Sequence, residues 1–187
     1  MIAEGTGYVG DCTVFVTSGV YDGALGGVSG ADHLCQTLAQ QQGLAGTFKA
    51  WLSDSSTSSG QRLTHSVVPY VDVWGRRIAD NWQDLTDGTL QFAILTDEKG
   101  FDYTNSPGCD PIGISLGAGM VWTDTRKDGS TSGGADCKDW TENKTAEQGG
   151  EGGLVGYYCF DTQAWTDPTV VTTSGCAAKR SLYCFEQ

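Results

Sequence analysis

The chain has 187 residues, with 11 Lys plus Arg against 23 Asp plus Glu, so a net charge of −12 offers no basic patch for a phosphate backbone or an anionic membrane surface. Apolar residues make up 39% and aromatic residues 10%, enough for a core and too many for a disordered acidic tail. No run approaches the ~20 apolar residues that cross a bilayer, and the length suits one domain over residues 1–187 with 1–12 as a lead-in.

Seven cysteines stand at 12, 35, 109, 137, 159, 176 and 184, with no C-x-x-C pair and only His33 and His65 beside them. A zinc framework lacks its spacing, so disulfides in an oxidising compartment are the expectation. Met1-Ile2-Ala3-Glu4 is followed by no apolar stretch of a signal peptide. The setting expected is extracellular or at a cell surface, with a leader already removed.

In chain order, residues 13–17 are β-branched and aromatic and predict a first strand. After a Gly-rich turn, Ser29 with Asp32 three residues on predicts a capped helix start. Ala31, Leu34, Cys35, Leu38 and Ala39 then form one apolar stripe, and Gly43 is placed to end the helix in a left-handed cap. Cys35 lies on that stripe, so its partner belongs in the core. Residues 47–52 alternate, with Phe48, Ala50 and Leu52 on one face. Residues 67–79 predict a hairpin turning at Trp74-Gly75-Arg76, and residues 80–85 a short second helix. Beyond it, residues 103–119 and 123–153 are mostly turn formers around the anchors Val121-Trp122 and Trp140. Residues 153–160 and 181–186 predict closing strands, and no internal repeat is evident.

Few constellations carry chemistry. Gly113-Ile114-Ser115-Leu116-Gly117 matches a nucleophile elbow, but prolines precede it and both histidines lie upstream, whereas the elbow needs a strand before it and its histidine after it. Residues 124–129 begin like a calcium loop, yet Arg126 and Ala135 stand where oxygen ligands are required, so a solvated Asp-Gly turn is expected. Asp97, Asp102, Asp110 and Asp136 are loop oxygens that leave calcium open as a ligand; no other cofactor is indicated. His33, at the edge of the helix stripe, and His65, beside a strand, are expected to be structural. Asn143-Lys144-Thr145 is a glycosylation acceptor pattern, meaningful only in a host that modifies it. Most of the six tryptophans are core anchors. Trp74 is the exception, at a hairpin tip beside Arg76 and Arg77.

The order of features resembles the C-type-lectin-like fold: a helix with Cys35, a loop with Cys137, then Trp165-Thr166-Asp167, Cys176 and a last strand with Cys184-Phe185-Glu186. The local text is similar to the endostatin-like branch of that fold and its bacterial secreted or surface relatives of unknown function. Its matching segments include Gly27-Val28-Ser29-Gly30-Ala31-Asp32, the run from Gly43 to Asp54, Asn81-Trp82-Gln83-Asp84-Leu85 and Leu182-Tyr183-Cys184-Phe185-Glu186-Gln187. The resemblance implies an α+β single domain with two helices, small antiparallel sheets and long disulfide-tied loops. It also implies the pairs Cys35–Cys184 and Cys137–Cys176. The calcium-dependent lectins carry Glu-Pro-Asn or Gln-Pro-Asp and then Trp-Asn-Asp. Neither triplet precedes Cys137 here, and Thr166 replaces the ligand Asn, so calcium-bridged sugar binding is not expected. Nor is heparin binding, with five arginines under a charge of −12.

Against that pattern the chain has a longer loop at residues 103–119 and two additional cysteines, which suggests Cys109–Cys159; Cys12–Cys109 is the competing pair, and the cysteine left over is expected to be Cys12. The function expected is non-enzymatic recognition or adhesion of a glycan or protein ligand. The runner-up is a self-associating protomer of a filament, surface layer or particle, and a hydrolase is third. Candidate ligand-binding residues are Tyr103, Asn105 and Asp110 in the loop, then Trp74, Arg76 and Arg77 at the hairpin tip.

Overall fold

In the computed structural model the described residues are 10–106, 109, 119–168 and 173–187. Strands β1 (Cys12–Val16), β2 (Phe48–Ala50), β3 (Tyr70–Val71), β4 (Arg77–Ala79) and β8 (Tyr183–Glu186) form a five-stranded sheet in the order β2-β8-β1-β3-β4. β1 and β3 run parallel and the other neighbours antiparallel. A second, antiparallel sheet has the order β5 (Met120–Trp122), β6 (Gly152–Tyr157), β7 (Thr173–Gly175). The protein is thus α+β with small sheets. β5 contains the anchors Val121-Trp122.

The period-two alternation of strands gives the larger sheet two buried faces. Phe15 pairs with Cys184, which also pairs with Ala50, and these three join Cys35, Ala31 and Ala39 of helix α1 (Gly27–Gln41) on one face. Val14, Val16, Tyr183 and Phe185 point to the other face, where Trp51 and Trp165 pack with ring centroids 5.0 Å apart. Burying each of these large side chains contributes roughly 1.5–3 kcal/mol.

Helix α1 starts two residues before the expected Ser29. Gly26, in the left-handed region at φ 81°, precedes it, and no side chain caps it. Asp32 instead serves tertiary structure, accepting the Ala50 N–H at 2.9 Å and pairing with Arg62 at 2.6 Å. The C-terminus is as expected: Gly43 at φ 71°, its N–H on the Gln40 carbonyl and that of Leu44 on Ala39. His33 is exposed rather than bordering the core.

The expected second helix shrinks to the single turn α3 (Trp82–Leu85), capped by Asn81, and α2 (Ser59–Arg62) is also a single turn. The hairpin, expected over residues 67–79, pairs only Tyr70–Val71 with Arg77–Ala79. The turn α4 (Cys137–Trp140) is left-handed, with four consecutive non-glycine residues at φ 51–60°. Such residues cost about 1–2 kcal/mol each, so tertiary contacts must hold the turn. Trp140 is fully buried with its indole N–H on the Ser53 carbonyl at 2.6 Å, and the Asp139 carboxylate accepts the Ser55 N–H at 3.0 Å. Cys137 is tied to Cys176.

Three disulfides, Cys35–Cys184, Cys109–Cys159 and Cys137–Cys176, match the expected pairs, and Cys12 is free.

Candidate functional site

Two tight turns of the same construction lie side by side beyond the end of the larger sheet. In residues 72–76 the Asp72 carboxylate accepts the N–H groups of Trp74 and Arg76, both at 2.9 Å. The backbone closes with Asp72 N–H on the Arg76 carbonyl and Gly75 N–H on that of Asp72, both at 2.9 Å. In residues 97–101 Asp97 repeats this pattern on Lys99 and Phe101, both at 2.9 Å. Asp97 N–H reaches the Phe101 carbonyl at 3.0 Å and Gly100 N–H that of Asp97 at 2.9 Å. The fourth residue is glycine in each, at φ 80° and 81°, because the turn needs a left-handed residue there. The spacing Asp-x-x-Gly-x occurs in the sequence as Asp72-Val73-Trp74-Gly75-Arg76 and Asp97-Glu98-Lys99-Gly100-Phe101. It was the available signal for this pair, and a search for longer repeats passes over it.

Between the turns stands Arg76. Its guanidinium meets Asp72 at 2.6 Å, Asp102 at 2.7 Å and the Thr96 hydroxyl, and lies over the Phe92 ring at 4.3 Å. Burial works against its charge, but Asp72 and Asp102 outweigh that and hold its pKa above the ordinary arginine value. Asp102 stays below the usual carboxylate range: burial pushes it up, and bonds from Thr104 and Arg76 overcome this. Asp97 completes its shell with the Tyr103 hydroxyl at 3.0 Å, and Glu98 accepts the Ser18 N–H at 2.8 Å. Burial and then the charge of Asp97 push the Tyr103 phenol well above its ordinary value. The carboxylates of both turns are therefore spent internally.

What the turns present outward is two aromatic rings and the exposed Lys99. Trp74 is 53% exposed and Phe101 58%. The Trp74 indole N–H donates to the Gly100 carbonyl at 3.1 Å. Phe101 meets Tyr103 edge-on at 4.9 Å, and Tyr103 meets Tyr158 at 5.3 Å, one residue before Cys159. Cys109–Cys159 thus clips the candidate loop beside this aromatic row.

Of the candidate residues, Trp74 and Tyr103 are brought to one surface. Arg76 sits beneath it as a bracket for the turns, with no charge to spare. Arg77 points outward in an exposed pair with Asp80 at 2.7 Å. Asn105 is exposed at the loop, and Asp110 lies outside the described residues, as does the whole Gly113–Gly117 motif. Phe101 is the contributor that the sequence reading missed.

The Asp128-Gly129 turn is solvated as expected, with Asp128 exposed, while Asp124 at the head of the segment is fully buried and accepts the Thr131 and Ser132 hydroxyls. Burial pushes its pKa up, and likewise that of Asp136. Among the described residues no group of three His, Cys, Asp or Glu side chains is placed to hold a metal ion. No helix of the described residues is long and apolar enough to cross a membrane.

No curated protein matches this sequence. A family model does, over residues 18–155, a stretch that contains α1, both Asp-closed turns and the aromatic surface they carry. Its description is a protein of unknown function (DUF1554), and the chain belongs to that family.

Proposed function

We propose that this protein is a non-enzymatic recognition or adhesion module of the extracellular space or a cell surface, holding a glycan or protein ligand on the Trp74–Phe101 surface without calcium. The observation that carries this reading is the mounting of Trp74. Its polar N–H is consumed by Gly100, so the half-exposed ring offers an apolar face and little else. Sugar C–H faces and apolar or cationic side chains all pack on such a ring. A ring already fixed loses little conformational entropy on binding.

The fold proposed is the C-type-lectin-like one. Cys35–Cys184 joins the first helix to the last strand and Cys137–Cys176 nests inside it, as that resemblance implies. Three disulfides support an oxidising setting.

A screen against glycans and matrix proteins, run with and without chelator, tests the reading. Binding that survives chelation and falls about tenfold or more in Trp74→Ala or Phe101→Ala is expected, as for an aromatic hot spot. Binding untouched by either substitution, or abolished by chelator, refutes it.

A further inference from the structure

We infer that the groove between the segment at residues 65–67 and α3 is a second binding site, built for a single neutral pyranose ring. The groove has a volume of about 310 Å³ and is lined by His65, Ser66, Val67, Asn81, Trp82 and Gln83. That is the small end of the range for small-molecule sites and suits one sugar ring better than a chain of them.

Its wall is aromatic and fixed. The His65 and Trp82 rings are stacked, with centroids 4.0 Å apart and planes 9° from parallel. Trp82 is backed by Trp51 at 5.6 Å, and a ring nitrogen of His65 is 2.7 Å from the Gly60 carbonyl. The backbone N–H of Trp82 donates to the Ser66 carbonyl at 2.8 Å, so the two sides of the groove are tied before any ligand arrives.

The polar complement is two carboxamides. Asn81 spends its Oδ1 on the Asp84 N–H at 3.1 Å, which fixes the amide and leaves its Nδ2 hydrogens without a partner among the described residues. The exposed Gln83 carboxamide likewise makes no hydrogen bond there. A carboxamide both donates and accepts, as a sugar hydroxyl does. Val67, 90% exposed, adds an apolar lip. No Lys, Arg, Asp or Glu lines the groove, so an anionic sugar would meet no countercharge on a chain of net charge −12. A C–H face laid on the exposed His65 ring, the outer member of the stack, with hydroxyls toward the two carboxamides, answers these features.

The test is an NMR titration of the intact chain with the methyl pyranosides of glucose, galactose, mannose and N-acetylglucosamine. At least one should saturate with a Kd of about 1 mM, ordinary for so small a ligand. Amide shifts should concentrate at residues 65–67 and 81–83. Gln83→Ala, at an exposed position, should weaken binding about fivefold, the loss of one neutral hydrogen bond. Val67→Asp should weaken it as well, and circular dichroism checks that both variants stay folded. No response to any of the four sugars, shifts centred on Trp74 and Phe101 instead, or a Gln83→Ala protein that binds as well as wild type each overturns the inference.

Discussion

A Cβ atom placed on Gly100 would lie 2.9 Å from Cζ2 of Trp74, closer than the two atoms can approach. The indole N–H reaches the carbonyl of that same glycine. Gly100 is therefore both the seat and the tether of the most exposed tryptophan. Gly100→Ala should displace the ring and strain a residue at φ 81°, costing about 1–2 kcal/mol. The expected readout is a redder Trp emission and lost ligand binding in a protein that still melts cooperatively. Unaltered emission and binding would detach Trp74 from Gly100.

Arg76 is the bracket of the site. The Asp72 side chain is only 1% exposed, whereas that of Arg76 is 32% exposed, so solvent screens part of the pair. Arg76→Ala should cost about 2–3 kcal/mol, below the full figure for orphaning a buried charge. Arg76→Lys should recover little of it, because an ammonium cannot fork between Asp72 and Asp102 while lying on Phe92. Urea midpoints at constant slope measure this; a lysine variant as stable as wild type contradicts it.

The three disulfides should not be equivalent. Cys35–Cys184 closes 149 residues and Cys137–Cys176 closes 39, worth about 5 and about 4 kcal/mol by loop entropy. Cys35→Ala with Cys184→Ala removes a bond in the centre of the sheet–helix core and should leave little folded protein at 37 °C. Cys137→Ala with Cys176→Ala should keep the larger sheet but free the left-handed turn, giving new protease cuts near residues 137–140. Alkylation of native protein should modify one thiol, Cys12, and slowly, since it is half-buried. Fast labelling of further thiols would break the pairing scheme.

Acid should first stabilise this protein. The folded pKa values of Asp124 and Asp136 lie above the usual 3.8, chiefly through burial, so the folded state holds more protons than the unfolded one between those values. Stability then rises as pH falls through the folded values, and the gain is complete below 3.8. Asp102 and Asp139 are held below 3.8, so their contribution is lost only at still lower pH. The melting temperature should rise as pH is lowered from neutrality toward 3.8, and Asp124→Asn should flatten part of that rise. A wild-type melting temperature that falls steadily over the same interval would reverse the sign.

Local sequence determined the elements whose signals are local. The stripe from Ala31 to Ala39 and the glycine at 43 specified α1 and its end, because periodicity and a left-handed cap act within a few residues. The alternation at residues 48–52 and the turn at Trp74-Gly75 were legible for the same reason. The helix start was not: Ser29 looked like a cap, but Asp32 gains more from Ala50 and Arg62 than from a backbone N–H of its own helix. Likewise β5 consists of three residues whose pairing partners lie more than thirty positions away in β6, beyond any window of periodicity. The left-handed turn at Cys137–Trp140 runs against ordinary backbone preference, and partners distant in sequence, among them Cys176, Ser53, Ser55 and Gly26, hold it. At the candidate site the sequence supplied Trp74 and Tyr103, while the tertiary structure added Phe101 and turned Arg76 from a ligand group into a support. Both changes come from two short turns meeting across twenty-five residues, a contact that burial of Asp72 and Asp97 decides and that local sequence does not encode.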